Sequence, residues 1–106
     1  MIRYDEDTNT ITVCPEGELD QFMAEKIRNT IDSEILKKGA KTLVFDLSEI
    51  PFMDSSGIGM LIGRYRLMKR LNGQVEVKGM KESVFRIFRM SGLNQIMKVD
   101  ERGVTK

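Results

Sequence analysis

Residues 41–73 read KTLVFDLSEIPFMDSSGIGMLIGRYRLMKRLNG, and this stretch decides the fold. It opens with Leu43-Val44-Phe45-Asp46-Leu47, a short apolar run of β-prone residues that predicts a central, buried strand. Ser48 to Met53 is a connection in which Pro51 prevents continued strand pairing. From Ser55 to Asn72 apolar residues recur at helical spacing. Ile58, Leu61, Ile62, Tyr65 and Met68 are the expected buried stripe, and Gly73 closes the helix.

The flanking segments repeat this alternation. On the N-terminal side, Thr10 to Pro15 alternates as a strand, and Met1 to Tyr4 suggests a shorter one before it. Asp5-Glu6-Asp7-Thr8-Asn9 between them is turn chemistry, so the pair reads as a hairpin. Asp20 can cap a helix in which Ala24, Ile27, Ile31 and Ile35 face inward, and Gly39 is its expected stop. On the C-terminal side, Gln74 to Lys78 alternates as a strand, and Glu82 to Met90 is a third helix ended by Gly92. Leu93 to Val99 reads as a last strand leading to a polar tail. The order is β-β-α-β-α-β-α-β. Strands alternating with helices imply right-handed crossovers onto a mostly parallel α/β sheet, with the first two strands as an antiparallel edge. The 106 residues suit one domain, 1–106, without repeats or linkers.

Composition removes much chemistry. With no His and one Cys, imidazole triads and most zinc sites are excluded. Cys14 reads as a small buried hydrophobe. The 17 basic and 16 acidic residues give a net charge of +1, so nothing points to nucleic acid or an anionic membrane as a partner. No apolar run spans a bilayer, and the N-terminus lacks a signal peptide's apolar core, so a cytoplasmic protein without a cofactor is expected. Arg64, Arg66, Lys69 and Arg70 read as a solvated face, and several of the eight Met sit at inward positions and read as core, with Met53 and Met60 flanking the serine turn. Glu16, Glu18 and Asp20 cluster at a turn, where carboxylates alone are a weak metal signal.

What remains is Asp54-Ser55-Ser56-Gly57, which opens a helix outside the C-terminal end of the central strand, where functional groups gather in α/β sheets. Either Asp54 or Ser55 could be the N-cap, and a capping turn is the plain reading. Gly57, Gly59 and Gly63 are spaced Gly-x-Gly-x-x-x-Gly, which departs from the dinucleotide fingerprint; close packing of helix on sheet explains them more simply.

Phe52-Met53-Asp54-Ser55-Ser56-Gly57-Ile58-Gly59, continued by Gly63-Arg64-Tyr65, resembles the signature of bacterial anti-sigma-factor antagonists, which carry the STAS domain. Gly17-Glu18-Leu19-Asp20, Phe45-Asp46-Leu47 and Met90-Ser91-Gly92-Leu93 resemble further family segments in the same order. The C-terminal helix of longer relatives is expected to be short or missing.

The resemblance implies partner switching. The unphosphorylated antagonist would bind an anti-sigma factor with serine kinase activity and free the sigma factor. Phosphorylation would end that binding, and a PP2C-type phosphatase would restore it. The family's phosphoacceptor falls on Ser55; residue reading alone does not separate it from Ser56. A phosphate at a helix N-terminus meets N–H groups and the favourable dipole end, so little disturbance of the fold is expected. Glu18, Asp20, Asp54, Ser55, Ser56 and Gly57 are the expected partner-binding residues, with Asp20 equally readable as a cap. Two other classes stand beside this one. One is a non-enzymatic STAS scaffold or ligand sensor outside sigma control. The other is an enzyme with Ser55 or Ser56 as nucleophile, for which only a Lys could serve as base.

Overall fold

The structure, a computed structural model, describes residues 1–100; the polar tail from Glu101 and any C-terminal helix fall outside them. Five strands form one sheet: β1 (Ile2–Asp5), β2 (Thr10–Val13), β3 (Thr42–Asp46), β4 (Gln74–Lys78) and β5 (Lys98–Asp100). Helices α1 (Gln21–Lys38), α2 (Ser55–Arg70) and α3 (Glu82–Met90) join the parallel strands. The β1–β2 pair is antiparallel and every other pair parallel. This is the expected order and edge.

Spatial order follows chain order, β1-β2-β3-β4-β5. Crossovers between neighbouring parallel strands are right-handed as a rule, and three of them advancing in one direction carry all three helices to one face. The register shows which face. Ile11, Leu43 and Val75 form one fully buried row, and Val13, Phe45 and Val77 another. The opposite face carries Arg3, Thr12, Val44, Glu76 and Lys98 in one row, with Lys98 Nζ 3.9 Å from Glu76 Oε1. The central strand is therefore not buried on both faces: β3 alternates, with Val44 and Asp46 half-buried. Helices on one face only leave a parallel strand with the two-residue period of a half-covered sheet.

Helix ends follow local chemistry. Asp20 caps α1, its carboxylate accepting the Met23 N–H at 2.9 Å, and Gly39 stops α1 in the left-handed conformation at φ 65°. At the end of α2 the left-handed residue is Asn72, at φ 60°, and not Gly73. Gly73 is required for space, because a Cβ there would lie 2.6 Å from the Lys41 carbonyl oxygen. The expected last strand is mostly not one. Leu93–Gln95 is a 3₁₀ turn, and only Lys98–Asp100 pairs with β4. Leu93 and Met97 are both buried, four residues apart, a helical spacing and not a strand's.

The inner face of α2 also differs from expectation. Its buried residues are Gly57, Met60, Leu61, Arg64 and Met68, while Ile58, Ile62 and Tyr65 are only partly covered. Arg64 is not on a solvated face: it is 6% exposed, with Nε 2.7 Å from Asp32 Oδ1 on α1 and Nη1 3.4 Å from the Met60 carbonyl oxygen. The Nε–H does not aim at the carboxylate, so this contact is an ion pair and not a hydrogen bond. Burial pushes the Arg64 pKa down, Asp32 raises it again, and Arg28 lowers it further. No helix among the described residues is long and apolar enough to cross a membrane.

Candidate functional site

The loops leaving β2 and β3 lie side by side at the C-terminal edge of the sheet. The Gly17 N–H donates to the Glu49 carbonyl at 3.3 Å and the Leu19 N–H to the Phe52 carbonyl at 3.1 Å. Leu19 and Met53 form an isolated parallel bridge, with both side chains buried. This short extension of the β2–β3 pairing ties the Glu16–Asp20 loop to the serine turn. The β4–α3 loop and the start of α3 support it: Ser83 Oγ donates to the Pro51 carbonyl at 3.2 Å, and Lys81 Nζ to the Ser48 carbonyl.

Gly57 fixes how closely α2 begins against that bridge. A Cβ at 57 would fall 2.3 Å from Met53 Cγ and 3.1 Å from Leu19 Cδ2. The packing expected of all three glycines applies to this one alone. At Gly59 and Gly63 a Cβ would meet nothing within 4 Å. These two face an open groove of about 410 Å3 between α1 and α2, beside Ser56 and Arg28.

Asp54 is the N-cap, not Ser55. Its Oδ1 accepts the Ser56 N–H at 2.8 Å, and its carbonyl accepts the Gly57 and Ile58 N–H groups at 3.0 and 3.3 Å. Most first-turn donors are thus already taken, and fewer than expected remain for a phosphate. Ser55 is exposed at the first helical position, while Ser56 is half-buried along the groove. The two serines thus differ in accessibility, a difference that residue reading alone did not give.

Glu18 and Asp20 are exposed, and Asp20 performs the capping role expected of it. The bridge brings their loop to the serine turn, so Glu18, Asp20, Asp54, Ser55, Ser56 and Gly57 lie along one edge. Residues 14–22 and 47–55 together carry Glu16, Glu18, Asp20, Glu49 and Asp54, and no Lys or Arg. These two loops are acidic in a chain that is near neutral overall, and a cation beside them is Lys81 of the β4–α3 loop, whose ammonium is held on the Ser48 carbonyl. Cys14, at its base, is half-buried instead of buried; burial first, then Asp46 and Glu49, push its thiol pKa up, the opposite of what a reactive nucleophile needs. Among the described residues, no group of three or more His, Cys, Asp or Glu is placed to hold a metal ion.

Two aromatic residues at the edge were not among the expected partner-binding residues, although Phe52 opens the signature motif. Phe22, two residues past the α1 cap, is 78% exposed, and Phe52, before the serine turn, is 51% exposed. Phe22 stands opposite the Ala24–Ile27–Ile31–Ile35 stripe on a helical projection, a sign of exposure visible in the sequence.

The site thus belongs to a protein whose chemistry is presented on an exposed turn. A model of the STAS domain family matches residues 1–102. The chain belongs to the STAS-domain family, in the group of the bacterial anti-sigma-factor antagonists. It is 32% identical over 104 residues to an anti-sigma F factor antagonist of Paenibacillus polymyxa, covering 98% of this chain and 89% of that protein. It is 29% identical over 93 residues to an anti-sigma-B factor antagonist of Listeria monocytogenes, covering 88% and 81%. The solved anti-sigma factor antagonist SpoIIAA in its unphosphorylated form superposes with a TM-score of 0.80 at 29% identity, covering 94% of this chain and 88% of that one. The phosphorylated form of the Bacillus cell fate determinant SpoIIAA superposes with a TM-score of 0.72 at 27% identity, covering 94% and 91%.

Proposed function

We propose that this chain is a cytoplasmic, non-enzymatic anti-sigma factor antagonist switched at Ser55. Its unphosphorylated form binds an anti-sigma factor that is also a serine kinase, and so releases the sigma factor. Phosphorylation of Ser55 ends that binding, and a PP2C-type phosphatase restores it. The ATP site belongs to the partner.

The observation that carries this reading is the exposed Ser55 at the head of α2, held against an acidic loop by the Leu19–Met53 bridge. A phosphate there adds about −1.5 to −2 charges beside Asp54. The dipole end of α2 favours it by only about 0.3–1 kcal/mol, because Asp54 already occupies the Ser56 N–H. The phosphate stays in water in the isolated protein, and the fold has no reason to change. Relatedness to SpoIIAA, whose phosphorylated form keeps this fold, supports that view. The cost appears at the interface, where the dianion must lose its water. A loss of about 1.4 kcal/mol already weakens binding tenfold.

Ser55→Ala and Ser55→Asp variants test this against a kinase anti-sigma factor from the same genome. Ser55→Ala is expected to bind as tightly as the unmodified protein and to remain permanently active. Ser55→Asp is expected to bind at least about tenfold more weakly, as a carboxylate is a partial mimic of phosphate. Equal affinity of the two variants overturns the switch at Ser55.

A further inference from the structure

The five Phe residues divide by position. Phe45 and Phe88 are fully buried and Phe85 packs against the core, while the two exposed ones, Phe22 and Phe52, both belong to the edge that holds Ser55. Single exposed apolar residues are ordinary on a protein surface. Here one aromatic ring opens α1 and the other stands on the β3–α2 loop, their segments are joined by the Leu19 N–H to Phe52 carbonyl bond, and residues 14–22 and 47–55 carry five carboxylates and no Lys or Arg. Large apolar contacts rimmed by charge are the anatomy of a protein interface, and aromatic residues are frequent anchors there.

We infer that Phe22 and Phe52 are the apolar anchors of the partner interface, and that the anti-sigma-factor surface covering them is cationic around an apolar centre. This rests on the proposed function and assigns it a mechanism of release. Coulomb attraction alone would favour the phosphorylated form, since a phosphate makes an acidic edge more attractive to a cationic partner. Release must then come from desolvation. A water-excluding contact on Phe22 and Phe52 forces the Ser55 phosphate out of solvent, and burying an imperfectly paired dianion costs more than the added attraction returns. The carboxylates steer the partner in, and the aromatic contact makes it sensitive to phosphate.

Titration with the same kinase anti-sigma factor in the presence of ADP tests this. Phe22→Ala and Phe52→Ala, each checked for retained fold by circular dichroism, are expected to weaken binding at least about tenfold. Leu36→Ala and Met90→Ala, also exposed but at the opposite ends of α1 and α3, are expected to leave it unchanged. The penalty for Ser55→Asp is expected to shrink in the Phe22→Ala background, because the wetter contact tolerates charge. Full affinity in both Phe variants, with Ser55→Asp still weak, overturns the anchor and leaves the proposed function standing. Failure of the unmodified protein to bind, or a Ser55→Asp variant as tight as wild type, overturns both.

Discussion

Gly57 and Gly59 are two residues apart on α2 and have opposite reasons to be glycine. A methyl group at 57 enters the space of Met53 and Leu19, both in the core, so the bridge under the serine turn must shift. Overpacking of this kind costs about 1–3 kcal/mol, more than the ~1 kcal/mol that Ala gains in helix propensity. At 59 the methyl enters open space on an exposed helical position, and only the propensity gain remains. Urea unfolding is therefore expected to show Gly57→Ala less stable and Gly59→Ala more stable by about 0.5–1 kcal/mol. Two shifts of the same sign would contradict the packing account. At this scale the sequence was half legible. Asp54 and Asp20 at the caps follow from their type and place. That Gly59 and Gly63 open onto a groove does not, because glycine reads identically whether space is filled or empty.

Among the elements, α1 and α2 are held by apolar contacts and by one buried charge. Arg64 falls on the stripe Gly57–Met60–Leu61–Arg64–Met68, the inward spacing of a helix. Its chemistry points outward and its position inward, and a reading by residue type follows the chemistry. The neighbouring Arg66, Lys69 and Arg70, all exposed, made that reading natural. What resolves the conflict is Asp32, on another helix, and no local pattern announces a pair separated by an entire strand. The partners are unequal, with side chains 8% and 32% exposed for Arg64 and Asp32. Asp32→Ala leaves a buried guanidinium unpaired and is expected to cost about 2–4 kcal/mol by urea denaturation. Arg64→Met keeps the apolar stem and leaves a carboxylate that is partly exposed although its Oδ1 is buried, so a smaller cost of about 1–2 kcal/mol is expected. The reverse ranking would contradict the assignment of Arg64 as the more deeply committed charge. The strands show a similar division. Alternation in β2 and β4 was plain in sequence, whereas β3 looked fully buried because Val44 is apolar on the open face.

For the molecule as a whole, sequential strand order has a functional consequence. All helices share one face, and the loops leaving β2, β3 and β4 meet at one edge. Backbone bonds join the first two loops, and Lys81 and Ser83 from the β4–α3 side brace the second, which makes a hydrogen-bonded platform under an exposed serine. A platform of this kind presents a modification without transmitting it. The central claim is thus that phosphate at Ser55 acts where it sits. It is tested most directly by the amide NMR spectrum of the chain before and after incubation with the kinase anti-sigma factor and ATP. The account predicts one new state, with shifts centred on Ser55 and on Leu19 and Met53 across the bridge, and no change in a Ser55→Ala variant. Modification centred on Ser56, or shifts spread through β4, α3 and β5, would contradict it.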